Sequence, residues 1–218
     1  MKLSSFLFAL LLPTLACAGA YEDMEEALIR NDAAAAIALI KRGMDVNTVD
    51  RLGNTLLIQA MRRDVPELVD YLLQRRARIN TRNRNGETAL SIAAYTGNLP
   101  AVQRLVEAGA EVNFYGWPPL IYGAFNGHTA VVDYLLKRGA EIDATTGNGS
   151  TALFFAARYG HLEVVELLLK NKADAKIANE SGETAIDWAL KTGNTDIEAL
   201  LRAAGGRSGK AMTIELSK

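Results

Sequence analysis

The chain has 218 residues, 49% hydrophobic and 22% charged, with 24 basic and 25 acidic side chains leaving a net charge of -1. That balance marks a globular protein rather than a disordered one, and it excludes the basic footprint with which proteins hold nucleic acid. A single cysteine, Cys17, excludes a disulfide framework.

The first twenty residues read as a separate element. Lys2 supplies a positive start, Phe6 to Leu12 is an unbroken apolar run, and Pro13 interrupts it before a stretch of small residues. Ala16-Cys17-Ala18 and Ala18-Gly19-Ala20 both fit small-x-small cleavage. The run is too short to span a bilayer, so a retained anchor or a buried helix ranks below a secretory signal peptide, 1–20, cleaved after Ala20. Lipidation at Cys17 also ranks lower, because Thr14 stands where a lipoprotein signal wants a large aliphatic residue. Cleavage after either alanine leaves a chain without cysteine. The short single-lysine leader looks bacterial, which makes the periplasm the expected address. No second apolar stretch reaches transmembrane length.

From Tyr21 onward the chain is six lengths of 33 residues. Gly-Glu-Thr-Ala occurs at Gly86 and again at Gly182, and the same frame recurs at Gly53, Gly116 and Gly149, at intervals of 33, 30, 33 and 33 residues. A fixed period in this range means a stacked-repeat array. The predicted units are 21–52, 53–85, 86–115, 116–148, 149–181 and 182–206, followed by a tail over 207–218. In the fifth unit, Thr151 to Tyr159 and Leu162 to Lys170 predict two helices about a Gly160-His161 turn. Leu153, Ala156 and Ala157 share one face of the first, and Val164, Val165, Leu167, Leu168 and Leu169 fill the inner side of the second. Gly97-Asn98, Gly127-His128 and Gly193-Asn194 are the corresponding turns, where the backbone must leave the helix. At the ends, Glu22, Asp23, Glu25 and Glu26 are expected at the start of the first helix, where acid suits the dipole. The tail after Arg207 is expected to be loosely ordered.

The fifth unit's Gly149, Thr151, Leu153, Ala156, Ala157, Gly160, His161, Val164, Val165, Leu167 and Leu168 resemble the unit of the ankyrin repeat family. Gly109-Ala110-Glu111-Val112-Asn113, Gly139-Ala140-Glu141-Ile142-Asp143 and Gly43-Met44-Asp45-Val46-Asn47 resemble the family's closing motif. The resemblance covers Tyr21 to Gly206 and implies an all-α ankyrin-repeat solenoid of about six helix-turn-helix units with short hairpin fingers. Two departures stand out. The family's Thr-Pro-Leu-His tetrad ends here in Ile58, Ser91, Ile121, Phe154 and Asp187, so stacking is expected to rest more on apolar burial. The glycine after the second helix is replaced by Arg76 and Lys172, which is expected to weaken those joints.

In this family, partners usually bind the concave surface made by finger tips and the exposed side of the first helices. Projected onto this chain, those slots hold Arg62, Arg63, Arg84, Tyr95, Phe114, Tyr115, Trp117, Phe125, Arg158 and Tyr159 as partner-binding candidates. Aromatics and arginines dominate interface energetics. They fall basic toward the N-terminal side and aromatic in the middle, with Tyr95, Phe125 and Tyr159 recurring at one slot before the turn. The 30-residue interval removes three residues between Asn113 and Gly116 and leaves Phe114, Tyr115 and Trp117 on a shortened finger. The bland reading has Phe114 and Trp117 folding back to fill that gap as local core.

Chemistry finds little support. His128 and His161 stand one repeat apart in a slot that is structural in this family, no Cys/His cluster offers a metal site, and no nucleophile stands with a base. Gly147-Asn148-Gly149-Ser150 lacks the phosphate-loop signature and falls where a hairpin turn is expected. No cofactor is expected. The reading is a monomeric, non-enzymatic periplasmic protein that binds one protein partner with an acidic, apolar-pocketed surface. The resemblance suggests two roles, support of an oxidative-stress enzyme such as catalase or immunity against a periplasm-delivered toxin. An enzyme with an unrecognised site and a two-faced scaffold are the rivals.

Overall fold

A computed structural model of the chain describes residues 12–209, with side chains from Gly19 onward. The expectations for residues 1–11, for the Cys17 side chain and for 210–218 lie outside the described residues. The described helices are α1 (Leu12–Ile29), α2 (Ala33–Lys41), α3 (Leu56–Arg62), α4 (Pro66–Gln74), α5 (Ala89–Thr96), α6 (Leu99–Glu107), α7 (Pro119–Phe125), α8 (Thr129–Lys137), α9 (Ala152–Tyr159), α10 (Leu162–Lys170), α11 (Ala185–Thr192) and α12 (Thr195–Ala203). They form six pairs, in phase with the glycine frame.

Local sequence explains each pair. Thr55, Thr88 and Thr151 stand in extended backbone, and each hydroxyl accepts the N–H of the residue three further on. Those bonds satisfy an otherwise orphaned donor at the helix start. The first helices end at Gly97, Gly160 and Gly193 in the left-handed region, and Asp32, Asn98 and Asn194 then cap the second helix of their units.

The chain divides into two compact units, one through Arg84 and one from Asn85. In the first, α1 packs on α2, α3 on α4, and α2 on α4. In the second, α5, α7, α9 and α11 form one row and α6, α8, α10 and α12 a second, each first helix also packing on its own partner. Both units bury the same slots. Leu57, Leu90, Leu120, Leu153 and Ile186 are the same residue of successive first helices, and Leu72, Leu105, Leu135, Leu168 and Leu201 of successive second ones. Each is shut off from water, a contribution of roughly 1.5–3 kcal/mol per side chain.

The slot where the family has histidine confirms the apolar expectation at three positions, since Ile58, Ile121 and Phe154 are buried. At the other two it holds polar groups that close capping boxes, Ser91 with Thr88 and Asp187 with Thr184. Apolar burial is not the whole of the stacking. Asn47 Oδ1 accepts the Arg78 N–H at 2.8 Å, Asn113 Oδ1 accepts that of Glu141 at 2.9 Å, and Asp143 Oδ1 accepts that of Asp174 at 3.0 Å. Each bond ties the closing motif of one unit to the next. Arg76 and Lys172 do adopt positive φ, at 57° and 69°.

The finger tips are hairpin turns. Asp50, Thr146 and Asn179 each donate N–H to the carbonyl four residues on, and Gly53, Gly149 and Gly182 close the loop with positive φ. Gly147 to Ser150 is therefore a turn, as expected. In the shortened unit, residues 115–117 make a bend instead.

Two expectations are corrected. The acidic residues Glu22, Asp23, Glu25 and Glu26 do not open the first helix, because α1 already runs from Leu12 and its first turn holds no acid. The alanine-rich run after Pro13 is good helix material, and it continues straight into the acidic stretch. The start of the tail is also not loose. Ser208 Oγ and the Gly209 N–H donate to the carboxylate of Asp187, and Arg207 O accepts from Thr184 Oγ1 at 2.9 Å.

Candidate partner-binding surface

In the second compact unit, the exposed ends of α5, α7, α9 and α11 bring aromatic rings into one connected array. Tyr95 meets Tyr122 edge-on at 6.1 Å between centroids, and Tyr122 meets Trp117 at 5.4 Å. Trp117 packs at 4.9 Å on Phe155, which meets Phe125 at 5.7 Å, and Phe125 meets Tyr159 at 4.5 Å. Phe154 extends the line from Phe155 (5.6 Å) to Trp188 (6.1 Å). These tilted and edge-on geometries are those that aromatic quadrupoles favour.

Exposure decides which rings a partner could touch. Tyr95 is 47% exposed, Tyr159 44% and Trp117 36%, whereas Phe154 and Phe155 are buried. Trp117 thus answers to both sequence readings: it fills the space beside α7 and α9, and it presents an edge to solvent. A buried aromatic floor holds three half-open rings in place, so little side-chain freedom remains to be lost on binding.

The basic side chains at the α11 end are engaged within the surface. The Arg158 guanidinium lies 4.1 Å from the centre of the Trp188 ring, and Lys191 Nζ lies 4.4 Å from it. Lys191 also pairs with Glu183, whose Oε2 accepts the Trp188 indole N–H at 3.2 Å. The hydrogen bond from Lys191, reinforced by its charge and by Trp188 and Asn179, holds the Glu183 carboxyl below the usual carboxylate range.

Behind the array, two histidines fix its backbone. His128 Nε2 lies 2.9 Å from the carbonyl of Tyr95, and His161 Nε2 lies 2.9 Å from that of Phe125. Asn126 Nδ2 adds a second donor to the Tyr95 carbonyl at 2.8 Å. Each imidazole sits where the Cβ of an alanine at Gly97 or Gly127 would fall, 2.5 Å from Nδ1. With φ of 72° and 74°, these two positions admit only glycine without strain. Among the described residues, no group of His, Cys, Asp and Glu side chains is placed to hold a metal ion.

Of the sequence-predicted residues, Tyr95, Trp117, Phe125, Arg158 and Tyr159 come together here. Tyr159, however, stands one residue nearer its turn glycine than Tyr95 and Phe125 do, and Arg158 holds their slot. Phe114 and Tyr115 line a groove with Asn113, Glu141, Asp143, Ala144 and Thr145. Arg62, Arg63 and Arg84 belong to the first compact unit and are exposed. Arg62 and Arg63 share a groove with Glu25 and Asp50, so that region is of mixed charge rather than basic. The aromatic residues that sequence reasoning missed are Tyr122, Phe155 and Trp188. They occupy one slot, six residues after the frame glycines Gly116, Gly149 and Gly182, and that recurrence was the available signal.

Comparison with known proteins supports the same architecture. Two family models match, "Ankyrin repeats (3 copies)" over residues 57–146 and "Ankyrin repeats (many copies)" over 135–189, together more than half of the chain. The chain is 37% identical over 116 residues to the rat (Rattus norvegicus) Ankyrin repeat and SAM domain-containing protein 6, covering 51% of this chain and 12% of that protein. It is 28% identical over 119 residues to a putative ankyrin repeat protein of Rickettsia bellii (strain RML369-C), covering 50% and 34%. The matched segment is thus a minor part of either relative. Among solved structures, the human ASB11 ankyrin repeat domain superposes with a TM-score of 0.76 at 24% identity, covering 85% of this chain and 89% of that one.

Proposed function

The chain belongs to the ankyrin repeat family, and from that premise we propose that it is a binding module whose aromatic array recognises one protein partner. Ankyrin repeats mediate protein-protein interaction. The observation that supports this contact face is the connected line of rings from Tyr95 to Tyr159 across three repeats, with its three half-open members. Large aromatics at the centre of a contact, anchored from below, are the side chains that most often dominate binding energy. No described helix is long and apolar enough to cross a membrane. The periplasmic address rests on the leader-like sequence of residues 1–20.

Affinity capture of the tagged chain from its host, after cross-linking, tests the reading when run beside a Tyr95→Ala/Tyr159→Ala variant. Both tyrosines are half-exposed, so the variant keeps its core. The expected result is one dominant companion, held roughly thirtyfold less tightly by the variant, about 2 kcal/mol. An unchanged set of companions would remove the array from consideration. The companion's identity then separates support of an oxidative-stress enzyme from neutralisation of a toxin.

A further inference from the structure

One slot of the first helices forms a row along the second compact unit. It holds Tyr95, Phe125, Arg158 and Lys191, on α5, α7, α9 and α11 in turn. Each of those helices packs on the next, and packed helices stand about 8–10 Å apart. The row therefore changes chemistry between α7 and α9, from two rings to two cations.

The two cations differ in what remains of their charge. Lys191 Nζ pairs with Glu183 Oε1, and Glu183 Oε2 accepts the Trp188 indole N–H at 3.2 Å. That carboxylate is thereby committed at both oxygens. Arg158 has no such partner. Among the described residues its guanidinium forms no ion pair and no hydrogen bond, and it rests on rings alone, 4.1 Å from the centre of Trp188 and 5.5 Å from that of Tyr159. A guanidinium laid on a ring keeps its five N–H donors in its own plane, clear of the stack. The side chain is half-buried, so the rings fix it before a partner arrives and little rotamer freedom is left to lose.

Two cations against one carboxylate leave one positive charge over at Trp188. A single flat fork with one uncompensated charge matches a carboxylate, which accepts two parallel N–H···O bonds. A phosphate group carries close to twice that charge and calls for a cluster of arginines, whereas the second cation here is already spent.

We propose that Arg158 is the receptor for a carboxylate side chain of the protein partner, set about 10 Å along the row from the partner's apolar anchor. This rests on the reading of the array as the contact face and deepens it. It names the partner's chemistry and its direction, with the acid toward α11.

The test is proton–nitrogen NMR of the full chain with two capped peptides, Ac-Leu-Gly-Gly-Glu-NH2 and its glutamine counterpart. Extended, each sets its polar end about 10 Å from the leucine. The two tryptophans give two indole resonances, Trp117 within the array and Trp188 against Arg158. The glutamate peptide is expected to move both indoles and the Arg158 Nε–H, and to bind about fivefold tighter than the glutamine peptide. High salt should remove that margin. Arg158→Gln should erase it while leaving the affinity for the glutamine peptide unchanged, and Arg158→Lys, which keeps the charge without the fork, should retain only part of it. Tyr95→Ala, two repeats away, should weaken both peptides alike and preserve the margin. Equal binding of the two peptides, still weakened by Tyr95→Ala, would overturn the receptor and leave the array standing; an intact margin with Tyr95→Ala silent would fault the array instead. A margin that survives Arg158→Gln, or a silent titration with both peptides, would overturn the proposal. So would a phosphoserine counterpart that binds more than about tenfold tighter than the glutamate peptide.

Discussion

At the scale of single residues, the repeat supplies its own controls. Ala60, Ala93, Ala156 and Ala189 hold one slot of the first helices, and in the shortened unit that slot is Gly123. An added Cβ at Gly123 would meet Val132 Cγ2 at 3.3 Å and Val131 Cγ1 at 3.4 Å, close but against side chains that can give. The equivalent valines Val69, Val102 and Val165 already coexist with alanine in their own units. Glycine inside a helix costs about 1 kcal/mol relative to alanine. Gly123→Ala is therefore expected to stabilise the second compact unit by about 0.5–1 kcal/mol, read as a higher urea midpoint with unchanged m-value; a lower midpoint would mean that Val132 cannot yield. The same comparison of slots shows what was legible in the sequence and what was not. Trp117 and Tyr95 could be read as surface residues because they flank a turn. Tyr122, Phe155 and Trp188 sit within helices, where an aromatic is indistinguishable from core until the neighbouring helix is in place. Their exposure differs for that reason, with Phe155 buried and Tyr122 half-buried.

At the scale of elements, α11 shows how the end of the array is finished. Its capping residue Asp187 is buried, and burial alone would push its carboxyl upward. Hydrogen bonds from Ser208, from the N–H groups of Thr184 and Gly209, and from the Thr184 hydroxyl more than offset this and hold it below the ordinary carboxylate range. A carboxyl whose folded value is depressed contributes stability above its unfolded value, and loses it as pH falls through the folded one. The strap of residues 207–209 should accordingly open in acid, below the normal aspartate range near 4. Hydrogen exchange at Gly209 and in α11 should accelerate there in the native chain, and Asp187→Asn should show the acid rate already at neutral pH, with a flatter profile. A profile unaltered by the substitution would detach the strap from Asp187. Sequence reasoning placed the two helices of the fifth unit, Thr151 to Tyr159 and Leu162 to Lys170, within a residue of α9 and α10, because threonine caps, turn glycines and apolar slots all repeat. It failed at the two ends, α1 and the strap. There no neighbouring repeat constrains the pattern, and the deciding contacts are made by Asp187, which reads locally as one more helix cap.

At the scale of the whole molecule, the repeat offers a way to ask how far a perturbation travels. Stability in an array is a sum of unit and nearest-neighbour terms, and two joints are strained, Arg76 in the first compact unit and Lys172 in the second. Both hold φ values that favour glycine, so Arg76→Gly and Lys172→Gly should each relieve roughly 1 kcal/mol of local strain, less the entropy that glycine adds to the unfolded chain. Trp117 and Trp188, the only tryptophans, both lie in the second unit, so their fluorescence reports that unit, while far-UV circular dichroism reports both. Lys172→Gly should raise the urea midpoint seen by fluorescence and by dichroism. Arg76→Gly should raise the dichroism midpoint while leaving the fluorescence midpoint in place, because the contacts cluster within each unit. Equal movement of both signals by Arg76→Gly would mean that the chain unfolds in one step. The aromatic array would then draw its stability from all six repeats, and substitutions as distant as Arg76 would tune partner affinity through the population of the folded surface.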